Sequence, residues 1–395
     1  MRLIVVGTGA MATSQANHFK AMDGVEIVAA VDTDPVRLAE FSDHFGIEKR
    51  FLSLDEAIAW GEFDAATNVT PDRMHHATSL ALIAAGKHVF CEKPLAENHA
   101  DALEMAHAAE AAGVINMVNL TYRNVPQLQY ARGMVLAGQL GTIRHVEASY
   151  LQSWLVSRAW GDWRSESRWL WRLSTSHGSN GVLGDVGIHI LDFAAYGAAT
   201  DIDHVFSRLK AFDKAPGGQI GEYKLDANDS FTMSVGFANG ALGVIHASRW
   251  ATGHLNELKL RIYGELGSIE VTHRPTDSEL RGCLGEDIET ATWRNIDVPA
   301  VPTNYERFVK AVITGQQPDP SFRYAADLQK VIDLAIVSEK ERRELTLLPP
   351  VEIVSMPEIQ VFADLEPLPV ATEMPALRLM DDTLWQEPEP RPAAD

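Results

Sequence analysis

The sequence predicts an α/β protein whose N-terminal part is a doubly wound parallel sheet. Three observations carry this. An apolar run, Leu3-Ile4-Val5-Val6, enters Gly7-Thr8-Gly9-Ala10-Met11-Ala12, a GxGxxA turn that leads into a helix-compatible stretch. Apolar strands and amphipathic helices then alternate as far as Leu120. Beyond Phe231, apolar positions change to period two, the mark of half-buried strands.

The first strand is continuously apolar because both faces of a parallel sheet are covered. In the turn that follows, Gly7 permits the tight bend. Gly9 lets a pyrophosphate approach the backbone, and Ala12 keeps helix and strand close. The helix N-terminus offers N–H donors and positive dipole to an anion. A second apolar run, Val25 to Val31, ends at Asp32, where a ribose-binding carboxylate belongs. A carboxylate there accepts from both ribose hydroxyls and repels a 2′-phosphate. With Arg37 the only nearby cation, NAD is favoured over NADP. Phe63 to Val69 is the next strand, turning at Thr70-Pro71. His75 to Ala85 reads as a helix closed by Gly86, and Lys87 to Cys91 as a strand ending in Glu92-Lys93-Pro94. Residues 99–112 are a helix ended by Gly113, and Val114 to Leu120 a further strand. Polar clusters recur at the carboxyl ends of these strands: Gly7–Met11, Asp32, Asn68–Thr70, Glu92–Pro94 and Asn119–Arg123. Open α/β sheets bind ligands there.

Composition narrows the function. The 395 residues carry 34 Lys+Arg against 54 Asp+Glu, a net charge of −20, which argues against nucleic acid as a partner. No apolar run is long enough for a membrane span, and the first residues read as a strand, not a secretion signal. A cytoplasmic protein is expected. Cys91 and Cys283 make no disulfide framework, and no Cys/His group has zinc spacing, so no metal is expected.

Three motifs in order, Gly7–Ala12, Ala85-Gly86-Lys87-His88-Val89-Phe90-Cys91-Glu92-Lys93-Pro94-Leu95 and Gly184-Asp185-Val186-Gly187-Ile188-His189-Ile190-Leu191-Asp192, resemble the Gfo/Idh/MocA oxidoreductases (glucose–fructose oxidoreductase, inositol dehydrogenase and relatives). The likeness covers roughly residues 1–345. It implies a Rossmann domain over 1–123 and, over 124–348, a substrate and oligomerisation domain with a large, mainly antiparallel open sheet. A Pro-rich acidic extension, 349–395, lies outside it. The residues support the second domain independently. Ile143 to Leu151 should begin its sheet. Phe231, Met233, Val235 and Phe237 form an apolar face, Asn239-Gly240 signals a type I′ hairpin, and Leu242, Val244 and His246 share a face of the return strand. Leu258–Tyr263 and Ser268–Val271 read as another hairpin. A homodimer or homotetramer covering the sheet is expected.

The resemblance also implies a site. Lys93, Asp185 and His189 fall on its catalytic positions; spacing of four puts Asp185 and His189 on one face of a helical turn. His189 is the expected acid/base, Lys93 a donor and proton partner, and Asp185 the substrate orienter, with the His/Lys division left open. Thr8, Asn68, Thr70, Pro71, His75, Glu92, Asn119, Trp171, Arg172 and Tyr305 are carried over as cofactor contacts beside Gly7, Gly9, Ala10, Met11 and Asp32. Tyr122-Arg123 replaces the family's more usual Arg-Arg and is expected on the substrate.

Residues 150–172 hold five of the nine tryptophans and four interleaved arginines against Asp162 and Glu166. Indoles stack on sugar rings and arginine forks bind anions, so Trp154, Arg158, Trp163 and Arg164 are expected at a carbohydrate, with an anionic or large sugar preferred. A structural loop or subunit contact uses the same residues. The leading reading is an NAD-dependent dehydrogenase acting on a secondary alcohol of a sugar, cyclitol or sugar derivative. A redox-assisted glycosidase and a non-enzymatic NAD-fold sensor are its rivals. From 351 to 395, ten acids against Arg378 and Arg391 give −8, and recurrent apolar residues suggest an extended arm packed on this or a neighbouring subunit.

Overall fold

The computed structural model describes residues 1–347, so the expectation for the acidic extension lies outside the described residues. Six parallel strands form the first sheet: β1 (Arg2–Val6), β2 (Glu26–Val31), β3 (Lys49–Phe51), β4 (Ala65–Asn68), β5 (His88–Cys91) and β6 (Asn116–Val118), in the order β3-β2-β1-β4-β5-β6. Helices α1 (Ala10–Lys20), α2 (Pro35–Phe45), α3 (Leu54–Trp60), α4 (His75–Ala84) and α5 (His99–Ala112) connect them. The strand order reverses between β1 and β4, which opens a crevice at their carboxyl ends. Local chemistry sets the helix ends. Asp34 caps α2 by accepting from the amides of Val36 and Arg37, and Pro35 occupies the first turn. Asn98 caps α5, which stops at left-handed Gly113.

The second sheet has nine strands: β7 (Ile143–Leu151), β8 (Ile202–Lys210), β11 (Ser230–Phe237), β12 (Leu242–Ser248), β13 (Glu257–Gly264), β14 (Gly267–His273), β15 (Ser278–Leu284), β16 (Arg294–Asn295) and β17 (Leu345–Thr346). A separate small hairpin, β9 (Gln219–Ile220) with β10 (Tyr223–Lys224), stands in the connection between β8 and β11. The order is β16-β15-β14-β13-β7-β12-β11-β8-β17, antiparallel except where β7 meets β12. Pairing decides the faces. Phe231, Met233 and Val235 lie opposite Ala247, Ile245 and Gly243, and all six are buried. Leu242, Val244 and His246 do share a face, but it is the outer one. The Asn239-Gly240 turn is not type I′. Only Gly240 has positive φ, and its N–H donates to the Phe237 carbonyl, giving a type I turn followed by a glycine bulge.

Helices α6 (Pro126–Leu136) and α8 (Ile188–Gly197) pack on the second sheet, and the short α7 (Ser167–Leu170) lies in the connection from β7 to α8. The chain then returns to the first sheet. Tyr305 and Phe308 of α9 (Asn304–Thr314) pack with Leu3, Phe19 and Phe90, so this part of the expected 124–348 domain completes the core of the first. Helix α10 (Phe322–Glu341) spans both: Asp333 accepts from the His99 amide, and Ser338 from the Ser207 amide. No helix among the described residues is long and apolar enough to cross a membrane.

Candidate active site

The cofactor groove is built by backbone. A Cβ on Gly7 would lie 2.6 Å from the Val69 carbonyl oxygen, and φ is +90° there, so only glycine allows β1 to turn beside β4. A Cβ on Gly9 would meet nothing within 4 Å, and no side chain caps the α1 N-terminus. Bare N–H groups and open space are what a pyrophosphate requires. Ala10, Met11, Thr70 and Pro71 line the groove of about 1390 Å³ that starts here, and Asp32 stands on its wall. Asp32 accepts from the Thr8 amide (2.8 Å) and hydroxyl (2.7 Å), the Asp34 amide (2.9 Å) and Arg37 Nη2 (3.0 Å). Burial pushes its carboxyl up. Arg37, Asp34 and Thr8 outweigh that and hold it far below the usual carboxylate range. Thr8 therefore spends both its donors on Asp32. These residues fit NAD: an anion-binding turn at one end and a fixed carboxylate for the ribose hydroxyls at the other.

Several expected cofactor residues lie behind this wall and shape it. Asn68 is fully buried. It donates to Thr78 and Ser79 and accepts from the Thr70 hydroxyl (2.7 Å). His75, also fully buried, faces two carbonyls, Pro94 O at 2.7 Å from Nδ1 and Thr70 O at 2.8 Å from Nε2. Both contacts require N–H, so the ring is an imidazolium that clamps the Thr70 turn to the Lys93-Pro94 turn. Burial pushes it down, but Cys91, the Pro94 carbonyl and Asp72 carry it up to about 10. Glu92 Oε1 accepts from Gln15 Nε2 (2.5 Å) and Asn119 Nδ2 (2.7 Å), and Asn119 also reaches the Tyr305 hydroxyl (3.3 Å). Tyr305 is a core residue stacked on His18. The direct-contact expectation is thus corrected for Asn68, His75, Asn119 and Tyr305, whose side chains are buried among protein partners.

Lys93 and Asp185 come together at a second, narrow cleft, with Pro94, Trp171, Arg172 and Asn180 on its walls. Lys93 Nζ donates to the Asp185 carbonyl (3.2 Å) and lies 3.9 Å from Oδ1. Arg172 Nε is 3.7 Å from Asp185 Oδ2, and Arg249 Nη2 donates to the same oxygen at 2.9 Å. Burial raises the Asp185 carboxyl, but Lys93, Arg249 and Arg172 overcome it and bring it down to about 2. The helical turn differs from the expected one. Leu183–Gly187 is a π-helical turn leading into α8, so Asp185 and His189 do not sit one α-turn apart. Asp185 faces the cations while His189 packs edge-on to Tyr122, ring centroids 4.9 Å apart. His189 is 7% exposed, and its Nδ1 is buried with no hydrogen-bond partner among the described residues. Burial and the Lys93 charge push its imidazole well below the usual histidine value, against the opposite pull of Asp185. The ring is neutral, as a proton acceptor must be.

Tyr122, expected on the substrate, contacts His189 and shares a 2.5 Å hydrogen bond with the Tyr150 hydroxyl, which donates to Asn256 Oδ1 (2.9 Å). Arg123 is corrected. It is 1% exposed, paired through Nε and Nη2 with Asp192 and held between the rings of Tyr196 and Tyr324. This buried ion pair ties the 121–124 turn to α8, Tyr324 of α10 also donates to Asp192, and nothing of it is left for a ligand. The tryptophan stretch is corrected in part. Trp154 and Trp163 are 2% and 3% exposed, enclosed with Leu155, Leu170, Leu173 and Leu225. Arg158 and Arg164 are exposed, Arg164 lying over the Trp163 ring. Trp171, 37% exposed, is the tryptophan of this stretch that reaches the Lys93–Asp185 cleft. Sequence reasoning missed Arg249, Tyr150 and Asn256. No local motif marks them, because their meaning comes from β7 lying between β12, which Arg249 follows, and β13, which Asn256 precedes.

Residues 1–120 match the family profile described as an oxidoreductase family with NAD-binding Rossmann fold, and residues 128–270 match the Gfo/Idh/MocA C-terminal domain. Levoglucosan dehydrogenase of Pseudarthrobacter phenanthrenivorans is 27% identical over 342 residues, 78% of this chain and 85% of that protein. Myo-inositol 2-dehydrogenase of Thermotoga maritima is 27% identical over 269 residues, 68% of this chain and 74% of the relative. A solved levoglucosan dehydrogenase in complex with NADH and levoglucosan superposes with a TM-score of 0.76 at 25% identity, covering 88% of this chain and 98% of its own. An oxidoreductase domain protein of Kribbella flavida gives 0.77 at 27% identity, covering 88% and 99%. With the fingerprint turn, the parallel and mixed sheets and both profiles in agreement, the chain belongs to the Gfo/Idh/MocA family and is an NAD-dependent dehydrogenase.

Proposed function

We propose that the protein oxidises a secondary hydroxyl of a sugar, cyclitol or sugar derivative, using Lys93, Asp185 and His189. The observation that carries this reading is one neutral, buried imidazole beside a cation and a held-open carboxylate. His189 takes the hydroxyl proton, since its proton affinity is low enough to leave it unprotonated at neutral pH. Lys93 donates to the same oxygen and stabilises the negative charge that develops there. Asp185, ionised and fixed from the protein side, accepts from a neighbouring hydroxyl and sets the ring's orientation. When bound along Gly7–Met11 and Asp32, NAD supplies the hydride acceptor. Trp171, the aromatic residue on this cleft, packs against the ring's C–H face.

The test is a substrate panel with NAD: levoglucosan, myo-inositol, 1,5-anhydro sugars, aldonates and aryl glycosides. Net NADH from a polyol supports the reading. Cleavage of a glycoside without net NADH would overturn it in favour of the glycosidase.

A further inference from the structure

Arg249 follows β12 directly and its side chain is fully buried, so it touches no substrate. Its guanidinium gathers three acceptors from one stretch of chain: Arg172 O at 3.0 Å from Nη1, and Gly181 O at 3.3 Å and Asp185 Oδ2 at 2.9 Å from Nη2. Those acceptors bracket the run that walls the Lys93–Asp185 cleft. A planar fork suits this task because several donors leave one rigid group in fixed directions.

The fork itself is seated. The Trp154 indole lies beneath it at 4.9 Å, a cation over an aromatic face in a desolvated site. Trp154 is fixed by its own Nε1 bond to Gln152 Oε1 (3.2 Å) and by stacking on Trp169 (5.1 Å, 29°). Behind Arg249 stands Asp229, whose charge acts on it and whose backbone oxygen accepts from the Arg249 amide (2.9 Å). Asp229 is neutralised in turn by Lys214 at 2.7 Å, both side chains fully buried. Charges thus alternate inward from the cleft: Asp185, Arg249, Asp229, Lys214. Gln152 also donates to Asn256 (2.7 Å), the residue that accepts from Tyr150, so the same support reaches the Tyr122 ring beside His189.

We propose that Arg249 is the positioning residue for Asp185, and that the buried tryptophan cluster at 154–173 is its seat. This rests on the reading of Asp185 as substrate-orienting, which Asp185→Asn tests alone. Arg249→Met is made in the native and in the Asp185→Asn background, with NADH binding by fluorescence titration as the control. With levoglucosan or myo-inositol as the probe alcohol, kcat should fall ~10-fold or more in the native background and less than ~2-fold in the other, with NADH affinity unchanged in both. Arg249→Lys, which keeps the buried charge but not the fork, should give an intermediate loss; it replaces the methionine variant in the cycle if that variant does not fold. Trp154→Leu should follow the same pattern. Equal losses in both backgrounds, or an unchanged kcat, would overturn the proposal. A crystal structure of the Arg249 variant reads the point without any substrate. Asp185 should leave its place between Lys93 and Arg172, and an unmoved Asp185 carboxylate overturns the positioning role even if the catalytic reading stands.

Discussion

In the proposed reaction His189 takes the hydroxyl proton, and its environment sets the pH behaviour expected of it. Burial and Lys93 both disfavour the imidazolium, so the folded ring binds its proton only at a pH well below the ordinary histidine value. A neutral base is active above its own pKa. The acid limb of kcat/KM for alcohol oxidation is therefore expected below pH 6.5, with no inflection near that value, and an inflection there would contradict the assignment. His189→Ala should lower kcat by ~100-fold or more and leave NADH affinity intact, as measured by steady-state rates and titration. At the other end of the groove, Asp32→Ala removes the acceptor that Thr8, Asp34 and Arg37 organise. NAD binding should weaken by ~10-fold or more, the scale of losing hydrogen bonds to a charged group, and NADP should gain relative to NAD. Calorimetric titration with each cofactor checks both. The residues legible from local chemistry are Gly7, Gly9 and Asp32; the role of Lys93 comes only through the family resemblance. Arg123 was not legible, because a Tyr-Arg pair says nothing about burial, and only the fold brings Asp192, Tyr196 and Tyr324 around it.

At the scale of elements, turn and cap chemistry made the first sheet readable. Prolines and left-handed glycines punctuate it, and β1 and most of β2 and β5 are apolar runs. Strand β3, three residues with an exposed pattern, carries no such signal and was not foreseen. The π-helical turn at Leu183–Gly187 is invisible to a four-residue spacing rule, which reads Asp185 and His189 as neighbours on one face. The tryptophan stretch was ambiguous for a physical reason: indole serves a small core as readily as a ligand wall. Stability separates the two uses. Trp154→Ala empties the centre of the cluster and should cost about 3–5 kcal/mol in urea unfolding. Trp171→Ala, on the cleft, should stay within about 0.5 kcal/mol while altering KM for the alcohol.

For the whole molecule, the chain crosses from one sheet to the other and comes back through α9 and α10, which is how a cleft between distant segments stays aligned. Asp185 and Arg249 are 64 residues apart in sequence, and no reading of either neighbourhood could pair them. The nine-stranded sheet buries one face beneath helices and leaves Leu242 and Val244 open on the other, at 58% and 37% exposure. Apolar side chains on an uncovered sheet face favour a subunit contact, so light scattering should give the mass of a dimer or tetramer. A monomer at all concentrations would leave that face without a partner. Hydride transfer at Lys93, Asp185 and His189 is tested by the initial rate of NADH formation from NAD across the secondary-alcohol panel, for the native protein and His189→Ala side by side. Net NADH from at least one sugar or cyclitol by the native protein, lost in a variant that still binds NADH, is the expected result. Equal rates from both, or no net NADH from a native protein that binds the cofactor, would contradict it.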